Sequence, residues 1–333
     1  MADPIVSVRD LVVEFPLRRG LFTAVDGVSF DIMPGEILGV VGESGAGKSM
    51  TGAAIIGLIE PPGHIAGGEI FLKGERIDNL PPEKMMEIRG KRIGMVFQDP
   101  LTSLNPLYTI GQQLIETIRR HLPLNQAQAR QRAIDLLGEA GIPSPADRLD
   151  SYPHQFSGGM RQRVVIALAL AAEPELIIAD EPTSALDVSV QAQIINLLQD
   201  LQRDLGLTYL FISHNLAVVR HISTRIAVMY LGRIVEAAEA DALFAQPEHP
   251  YTRALLASVP VSHPSHRGRR MRLEGDLPAA AAVTRGCRFA GRCPHAEERC
   301  RTVDPQLAPR SDGRLVACHR VVDGTLPWSD PYP

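Results

Sequence analysis

The first part of the chain alternates between apolar and polar positions. Residues 5–15 and 24–32 show this alternation together with β-branched side chains, which predicts two half-buried strands. Residues 37–41 form a short, continuously apolar run, as in a strand buried on both faces of a parallel sheet. A glycine-rich loop follows this run, and we then expect a helix over residues 48–59 and a hairpin over residues 68–77.

The pattern changes at about residue 99, where apolar side chains take up helical spacing among Gln, Ala and Arg. We interpret residues 99–172 as an inserted helical subdomain. Strands and helices then alternate again, which predicts an α/β fold. The predicted elements are strands 176–179 and 209–212, helices 188–205 and 216–222, and a hairpin of strands 226–230 and 233–236.

A Pro-, His- and Arg-rich linker begins after about residue 260 and precedes a segment that carries every cysteine of the chain. We therefore expect two parts, residues 1–260 and residues 261–333. The basic run over residues 267–272 is interpreted as a solvated part of the linker.

Composition narrows the function. Apolar residues make up 45% of the 333-residue chain and charged residues 22%, as in a globular protein with a sizeable core. The net charge of −4 gives no reason to expect nucleic-acid binding, which normally requires an excess or a stripe of basic residues. No apolar run approaches the ~18 residues that span a bilayer. Because the N-terminus carries Asp3 and lacks an apolar run of signal-peptide length, we expect a cytoplasmic chain.

The glycine-rich loop GESGAGKS matches the phosphate-binding pattern of P-loop proteins. Its glycines allow backbone N–H groups to approach phosphate oxygens, and the following helix contributes its N-terminal dipole. Lys48 is expected to neutralise the β- and γ-phosphates, and the Ser49 hydroxyl to ligate Mg²⁺. The alternative is a glycine-rich turn that matches by accident, but the flanking strand and helix favour nucleotide binding. The predicted loop residues are Gly42, Glu43, Ser44, Gly45, Ala46, Gly47, Lys48 and Ser49.

Two acids, Asp180 and Glu181, follow an apolar strand. Asp180 can reach Mg²⁺ through its water shell, and Glu181 can orient or deprotonate the water that attacks the γ-phosphate. Alone, this pair would indicate a solvated strand end. Together with the glycine-rich loop, it predicts a hydrolytic site.

The segment FSGGMRQR, residues 156–163, resembles the signature of ABC ATPases, a Ser-Gly-Gly core that opens a helix. The other family motifs follow the family order: Gln98 in VFQD, SALD at residues 184–187, and His214 in ISHN. The resemblance covers roughly residues 5–260. It implies a P-loop NTPase with an N-terminal antiparallel β subdomain, an inserted helical subdomain and a small C-terminal extension.

The resemblance also implies individual roles. Ser157, Gly158 and Gly159 would bind ATP held by the P-loop of a second domain. His214 would contact the γ-phosphate, with Lys48 and Glu181 as the other catalytic groups, and Asp187 would lie in a loop at the dimer interface. Met160 departs from the Gln of many relatives, and we expect modest effects at that interface.

Two further roles concern the nucleotide and its metal. Gln98 would touch Mg²⁺ and water, which makes Ser49, Gln98 and Asp180 the expected magnesium ligands. Phe15 aligns with the aromatic residue that stacks on adenine. Phe22 is the alternative candidate, because the segment after Phe15 is longer than in the family pattern.

The cysteine segment contains Cys287, Cys293, Cys300 and Cys318. Four thiolates can bind zinc or a [4Fe–4S] cluster. Their gaps of five, six and seventeen residues lack the C-x₂-C pairs of zinc ribbons, so buried or redox-inert thiols are an open alternative.

This segment and the stretch FQDPLTSLNP at residues 97–106 resemble ATPase subunits of dipeptide and oligopeptide importers. In some of these relatives the four cysteines hold an iron–sulfur cluster, which implies the same here. His295 and His319 are alternative ligands. The implied partners are a second ATPase subunit, identical or homologous, two transmembrane permease subunits and an extracytoplasmic solute-binding protein.

The implied function is therefore an ATPase, working with ATP and Mg²⁺, that drives peptide uptake from the cytoplasmic face of the membrane. Nickel and glutathione are alternative cargoes. A soluble ABC protein acting on nucleic acid or ribosomes is disfavoured because the chain has one cassette and no room for a coiled-coil arm. An iron–sulfur redox or sensor protein is disfavoured by the complete set of hydrolytic motifs.

Overall fold

The computed structural model describes residues 3–18, 20–258 and 285–326. The linker boundary at residue 260 and the basic run at residues 267–272 lie outside these ranges. The chain separates into two compact units. The first unit comprises Met1–Val6, Ile32–Ile37 and Phe71–Ile212, and the second comprises Ser7–Asp31, Leu38–Ile70 and Ser213–Pro333.

The strands of the described residues occur in the first part of the chain and again after the helical stretch, as the sequence predicts. They are β1 (Val6–Leu17), β2 (Gly20–Ile32), β3 (Ile37–Val41), β4 (His64–Leu72), β5 (Glu75–Arg76), β6 (Ile93–Val96), β7 (Leu176–Asp180), β8 (Thr208–Ser213), β9 (Arg225–Tyr230), β10 (Arg233–Glu239), β11 (Ala308–Pro309) and β12 (Leu315–Val316).

The helices of the described residues are α1 (Lys48–Ile55), α2 (Pro82–Ile88), α3 (Pro100–Ser103), α4 (Ile110–His121), α5 (Gln126–Glu139), α6 (Pro145–Arg148), α7 (Gly158–Leu170), α8 (Val188–Leu205), α9 (Leu216–Ile222), α10 (Ala240–Ala245), α11 (Pro250–Ala257), α12 (Glu298–Thr302) and α13 (His319–Val322). Within these described parts of the chain, no helix combines the length and the apolar character that a membrane span requires.

In the first unit, β6, β7 and β8 form a parallel sheet in the order β8-β7-β6. All six residues of β8 are buried, and so are the first four of β7, which accounts for the apolar runs at residues 209–212 and 176–179. The helical stretch packs through α4, α5 and α7. Capping boxes begin α4 at Thr109 and α5 at Asn125, so side chains satisfy the first free N–H groups of both helices.

In the second unit, β3 pairs in parallel with β9, and β10 continues this sheet as an antiparallel neighbour of β9. The short strands β12 and β11 extend the sheet beyond β10, with Val316 opposite Glu236. The C-terminal segment therefore adds strands to the sheet that carries β3. A separate sheet of this unit holds β2, β1 and β4 in that order.

Helix α1 is shorter than its sequence predicts, and the expected end at Ile59 is wrong. The helix ends at Ile55, and Gly57 takes a left-handed φ of +67°. The Gly57 and Leu58 N–H groups then donate back to the Ala54 and Ala53 carbonyls at 3.1 and 2.8 Å. A left-handed glycine with two such bonds is a common helix C-terminus. The apolar residues beyond Gly57 concealed this stop signal.

Candidate functional site

Two glycines shape the loop between β3 and α1 by close approach to neighbouring backbone. A Cβ atom on Gly42 would lie 2.2 Å from the Met229 carbonyl oxygen, and one on Gly47 would lie 2.6 Å from the Ala24 carbonyl oxygen. Gly47 also has a φ of +95°, which L side chains rarely adopt. These positions therefore require glycine, and the loop forms a backbone cradle at the N-terminus of α1.

Lys48 begins α1 and is 5% exposed. Its ammonium donates to the Gly42 and Glu43 carbonyls at 2.9 and 3.0 Å, which draws the side chain over the loop. A buried ammonium group over a backbone cradle is suited to phosphate, because a positive charge and N–H groups converge on one anion. Ser49 follows directly and is half-buried.

Glu43 of this loop is held by two residues that sequence reasoning missed. The Tyr251 hydroxyl accepts the Glu43 backbone N–H at 2.9 Å. The Arg292 guanidinium donates to both Glu43 carboxylate oxygens at 2.8 and 3.2 Å. Arg292 immediately precedes Cys293, but nothing in the sequence links it to a loop 249 positions away.

In the first unit, Asp180 ends β7 and Glu181 starts the following turn. Glu181 takes a left-handed φ of +46°, which is uncommon for a residue with a side chain. Its backbone N–H donates to the Ile212 carbonyl at 2.9 Å, which ties the turn to the end of β8. Strained residues of this kind cluster at functional sites, where the surrounding structure fixes an unfavourable conformation.

Gln98 lies two residues after the end of β6, and its amide nitrogen donates to the Glu181 carboxylate at 3.2 Å. Gln98, which the sequence predicts to touch Mg²⁺ and water, is thus hydrogen-bonded to Glu181, the predicted hydrolytic carboxylate. The structure places this pair at the carboxyl ends of parallel strands, where ligands bind in open α/β sheets.

The Ser157-Gly158-Gly159 segment opens α7 as predicted. Ser157 is the N-cap, and its hydroxyl accepts the Met160 N–H at 3.3 Å. Ser157 and Gly158 are exposed. A Cβ atom on Gly159 would lie 2.6 Å from Val190 Cγ1, so glycine permits close packing between α7 and α8. The result is an exposed helix N-terminus that presents N–H groups and a positive dipole end.

Asp187 and His214 lie at the ends of other elements. The Asp187 carboxylate caps α8, accepting the Val190 N–H at 3.0 Å and the Ser189 hydroxyl at 2.7 Å. The Val190 hydrogen bond is the main reason that the pKa of Asp187 is lowered. His214 is exposed directly after β8, and Asn215 then caps α9.

The two aromatic candidates for adenine stacking are neighbours. The ring centroids of Phe15 and Phe22 are 6.2 Å apart, and both side chains are half-buried. A Cβ atom on Gly63 would lie 2.4 Å from Phe15 Cε1, so Gly63 leaves room for that ring. The rings form one aromatic patch, which leaves both residues as candidates.

The four cysteines of the C-terminal segment are free thiols that line one cavity together with Phe289. Their loops are tied by backbone bonds, such as Cys287 N–H to the Cys300 carbonyl at 2.7 Å. His295 and His319 line the same cavity. His319 Nε2 lies 2.9 Å from the Val303 carbonyl oxygen.

Burial raises the pKa of the Cys287 thiol to about 12 and that of Cys293 to about 11, and it also raises the pKa of Cys318. The neighbouring cysteines add to these shifts, since two thiolates repel each other. Thiolates are the soft donors that zinc and iron–sulfur centres prefer. Among residues 3–18, 20–258 and 285–326, however, no three His, Cys, Asp or Glu side chains are arranged to hold a metal ion.

Comparison with known proteins gives the family. The model of the ABC transporter family matches residues 25–184, and that of the oligopeptide/dipeptide transporter C-terminal region matches residues 235–300. The second match includes Cys287, Cys293 and Cys300. Cys318 lies beyond it.

Similar proteins extend over nearly the whole chain. The chain is 45% identical to the dipeptide transport ATP-binding protein DppD of Escherichia coli, over 96% of this chain and 97% of that protein. It is 47% identical to the oligopeptide transport ATP-binding protein AppF of Bacillus subtilis, over 95% of this chain and 97% of that protein.

Among solved structures, the chain resembles the dimeric, post-hydrolysis structure of the ATP-binding cassette MJ0796 with bound ADP and Pi. The TM-score is 0.64 at 28% identity, covering 71% of this chain and 98% of the cassette. The predicted P-loop NTPase fold with its β subdomain is thereby confirmed. The chain belongs to the ABC transporter ATPases, as an ATP-binding protein of the oligopeptide and dipeptide transporter type.

Proposed function

We propose that this ATPase couples ATP binding and hydrolysis to the uptake of dipeptides or oligopeptides across the cytoplasmic membrane. The observation that carries the proposal is the sequence identity of 45–47%, over almost the full length, to dipeptide and oligopeptide transport proteins. The match includes the C-terminal region of such transporters. Its partners are a second ATPase subunit, two permease subunits and an extracytoplasmic solute-binding protein. In this proposal the chain works at the cytoplasmic face of the membrane.

Residues 1–260 form the ATPase domain, residues 99–172 its helical subdomain, and residues 261–333 the extension. The loop from Gly42 to Ser49 binds the ATP phosphates, which suits a cradle where a Cβ atom would clash at Gly42 and Gly47.

Ser49, Gln98 and Asp180 supply oxygen atoms, the donors that Mg²⁺ prefers, and the ion neutralises charge on the phosphates when bound. Glu181 accepts a proton from the attacking water, and its bond to Gln98 orients the carboxylate. His214 contacts the γ-phosphate.

The Ser157-Gly158-Gly159 end of α7 binds the γ-phosphate of ATP held by a second subunit. Support comes from the exposure of this helix end and from the dimeric ATP-binding cassettes that share the fold. Asp187, which caps α8, lies at the same interface. Phe15 stacks on adenine, with Phe22 beside it.

The peptide assignment is tested by deleting the gene and measuring the uptake of a radiolabelled dipeptide, nickel and glutathione in parallel. We expect dipeptide uptake to be lost, because accumulation against a gradient stops without the ATPase that drives it. The wild-type gene should restore it, and nickel and glutathione uptake should be unchanged. Unchanged dipeptide uptake, or a loss confined to nickel or glutathione, would contradict the peptide assignment.

We further propose that Cys287, Cys293, Cys300 and Cys318 hold a [4Fe–4S] cluster. The cavity that all four thiols line supports this proposal, because a Cys₄-ligated cluster needs four cysteines at one place. In this proposal all four ligands are cysteines, and His295 and His319 are not ligands.

Anaerobic purification followed by iron and sulfide analysis tests this second proposal. We expect about four irons and four sulfides per chain, as in a Cys₄-ligated cubane. Cys318→Ser should lower the iron content, whereas His295→Ala should leave it unchanged. Stoichiometric zinc without iron, or a chain free of both, would exclude the cluster.

A further inference from the structure

Arg292 of the C-terminal segment contacts the nucleotide loop. The two bonds from Arg292 to the Glu43 carboxylate, at 2.8 and 3.2 Å, join Nη1 to Oε2 and Nη2 to Oε1. The Arg292 side chain is 7% exposed and that of Glu43 is 23% exposed. A planar guanidinium that binds a carboxylate through two parallel bonds fixes both its position and its orientation.

Glu43 is also fixed at its main chain. Its N–H donates to the Tyr251 hydroxyl at 2.9 Å, and its carbonyl accepts the Lys48 ammonium at 3.0 Å and the Ala46 N–H at 3.1 Å. The residue that Arg292 holds is therefore the one that supports both the turn of the loop and its lysine. A shift of the Glu43 carboxylate would displace these groups together.

Arg292 is itself anchored to the wall of the thiol-lined cavity. Its N–H donates to the Phe289 carbonyl at 3.0 Å, and Phe289 lines that cavity. The Phe289 ring centroid lies 5.3 Å from that of Tyr230 and 5.5 Å from that of Tyr251. Tyr230 in turn accepts from Arg292 Nη1 at 3.4 Å. One buried aromatic cluster thus connects the cavity wall with both groups that hold Glu43.

A second arginine of the C-terminal segment contacts β2 and the turn between β9 and β10. Arg288 donates to the Leu231 carbonyl and to the Asp26 carboxylate. The neighbouring Gly232 N–H donates to the Ala46 carbonyl of the loop at 2.9 Å. The segment therefore supports the loop at two residues. Arg292 holds Glu43 directly, and Arg288 holds the turn at Leu231, whose neighbour Gly232 is bonded to Ala46.

We propose that Arg292 is a positioning residue for nucleotide binding, through which the C-terminal cysteine segment sets the affinity of the phosphate loop. The proposal rests on the nucleotide role given to that loop under the proposed function. In this proposal Arg292 makes no contact with the ATP phosphates. It acts by holding Glu43, so that the loop N–H groups and Lys48 are arranged before ATP arrives.

The test measures binding of a fluorescent ATP analogue with Mg²⁺ to the full chain, together with its unfolding temperature and the KM and kcat of its ATPase. For Arg292→Ala we expect a Kd and a KM raised about ten-fold, with a smaller change in kcat, at a temperature where the variant is fully folded. Arg292→Lys should give an intermediate Kd, because an ammonium group cannot bind both oxygens as a planar fork.

The matched control is Arg299→Ala in the same segment. Arg299 pairs with Asp323 at 2.7 Å, but these side chains are 51% and 41% exposed. An exposed pair contributes little, so the Kd should stay within about two-fold of the wild type. A lower unfolding temperature for Arg292→Ala with an unchanged Kd would mean a purely structural role and would overturn the proposal.

A double-mutant cycle tests the route through Glu43. Glu43→Gln should raise the Kd about as much as Arg292→Ala, and the double variant should bind no more weakly than either single one. Additive effects would overturn the route. Should Arg292→Ala not fold, Arg292→Lys and Glu43→Gln decide the question alone. If the wild-type chain binds no ATP analogue, the proposed function fails; if it binds and the Arg292 variants bind equally, only the positioning role fails.

Discussion

Glu181→Gln should reduce the steady-state ATPase rate by about 100-fold or more while ATP remains bound. A general base contributes roughly 10²–10⁴ to a rate, and glutamine cannot accept the proton of the attacking water. The substitution is close in shape, and its amide oxygen can still accept from the Gln98 amide at the position of the present 3.2 Å bond. Binding should therefore survive while turnover fails.

The measurement compares ATP retained on a filter with phosphate released in a single turnover. Glu173→Gln is a matched control, because Glu173 also has a positive φ, of +57°, and an exposed carboxylate beside Arg132. We expect near-normal hydrolysis from that control. Hydrolysis by Glu181→Gln within a few-fold of the wild type would remove Glu181 from the role of base.

Parts of the fold were predictable because the deciding signals are local. Helix α8 runs over Val188–Leu205, as predicted. Asp187 caps its first turn, and Gly206 takes a left-handed φ of +65° at its end. The hairpin β4–β5 was also predictable, since Lys73 and Gly74 both have positive φ, as tight hairpin turns require.

The sequence motifs also located the separate parts of the candidate site. The loop before α1, the acids after β7 and the N-cap of α7 all lie where the pattern of strands and helices predicted. Each of these features depends on a few adjacent residues and on the element next to them.

Other features depend on contacts between distant residues, which one sequence does not reveal. The Arg292–Glu43 pair joins residues 249 positions apart, and an arginine beside cysteines resembles any solvated residue. The left-handed conformation of Glu181 is imposed by the turn after β7 and its bond to Ile212, against the ordinary preference of glutamate. Such features arise from tertiary packing rather than from local propensity.

The largest effect on nucleotide binding is expected from Lys48→Ala, which removes the ammonium held over the loop by the Gly42 and Glu43 carbonyls. A hydrogen bond to a charged group contributes about 1.5–3 kcal/mol, so the Kd for ATP should rise about 10- to 150-fold. Lys84→Ala, at an exposed lysine of α2, is the control and should bind normally.

Ser157→Asp should affect turnover rather than binding, in contrast to Lys48→Ala. ATP binding by the single chain should stay intact, and turnover should be abolished. Aspartate still caps α7, so the fold is preserved, but its charge repels the γ-phosphate of ATP held by a second subunit. Ser157→Asn caps equally well without charge and should retain turnover in the otherwise wild-type chain. It should also retain ATP-dependent association, which sedimentation measures in the Glu181→Gln background. Lys48 is proposed to act on ATP bound by its own chain, and Ser157 on ATP bound by a second chain. If the Lys48→Ala and Ser157→Asp variants lost ATP binding by the single chain equally, a nucleotide shared between two subunits would be contradicted.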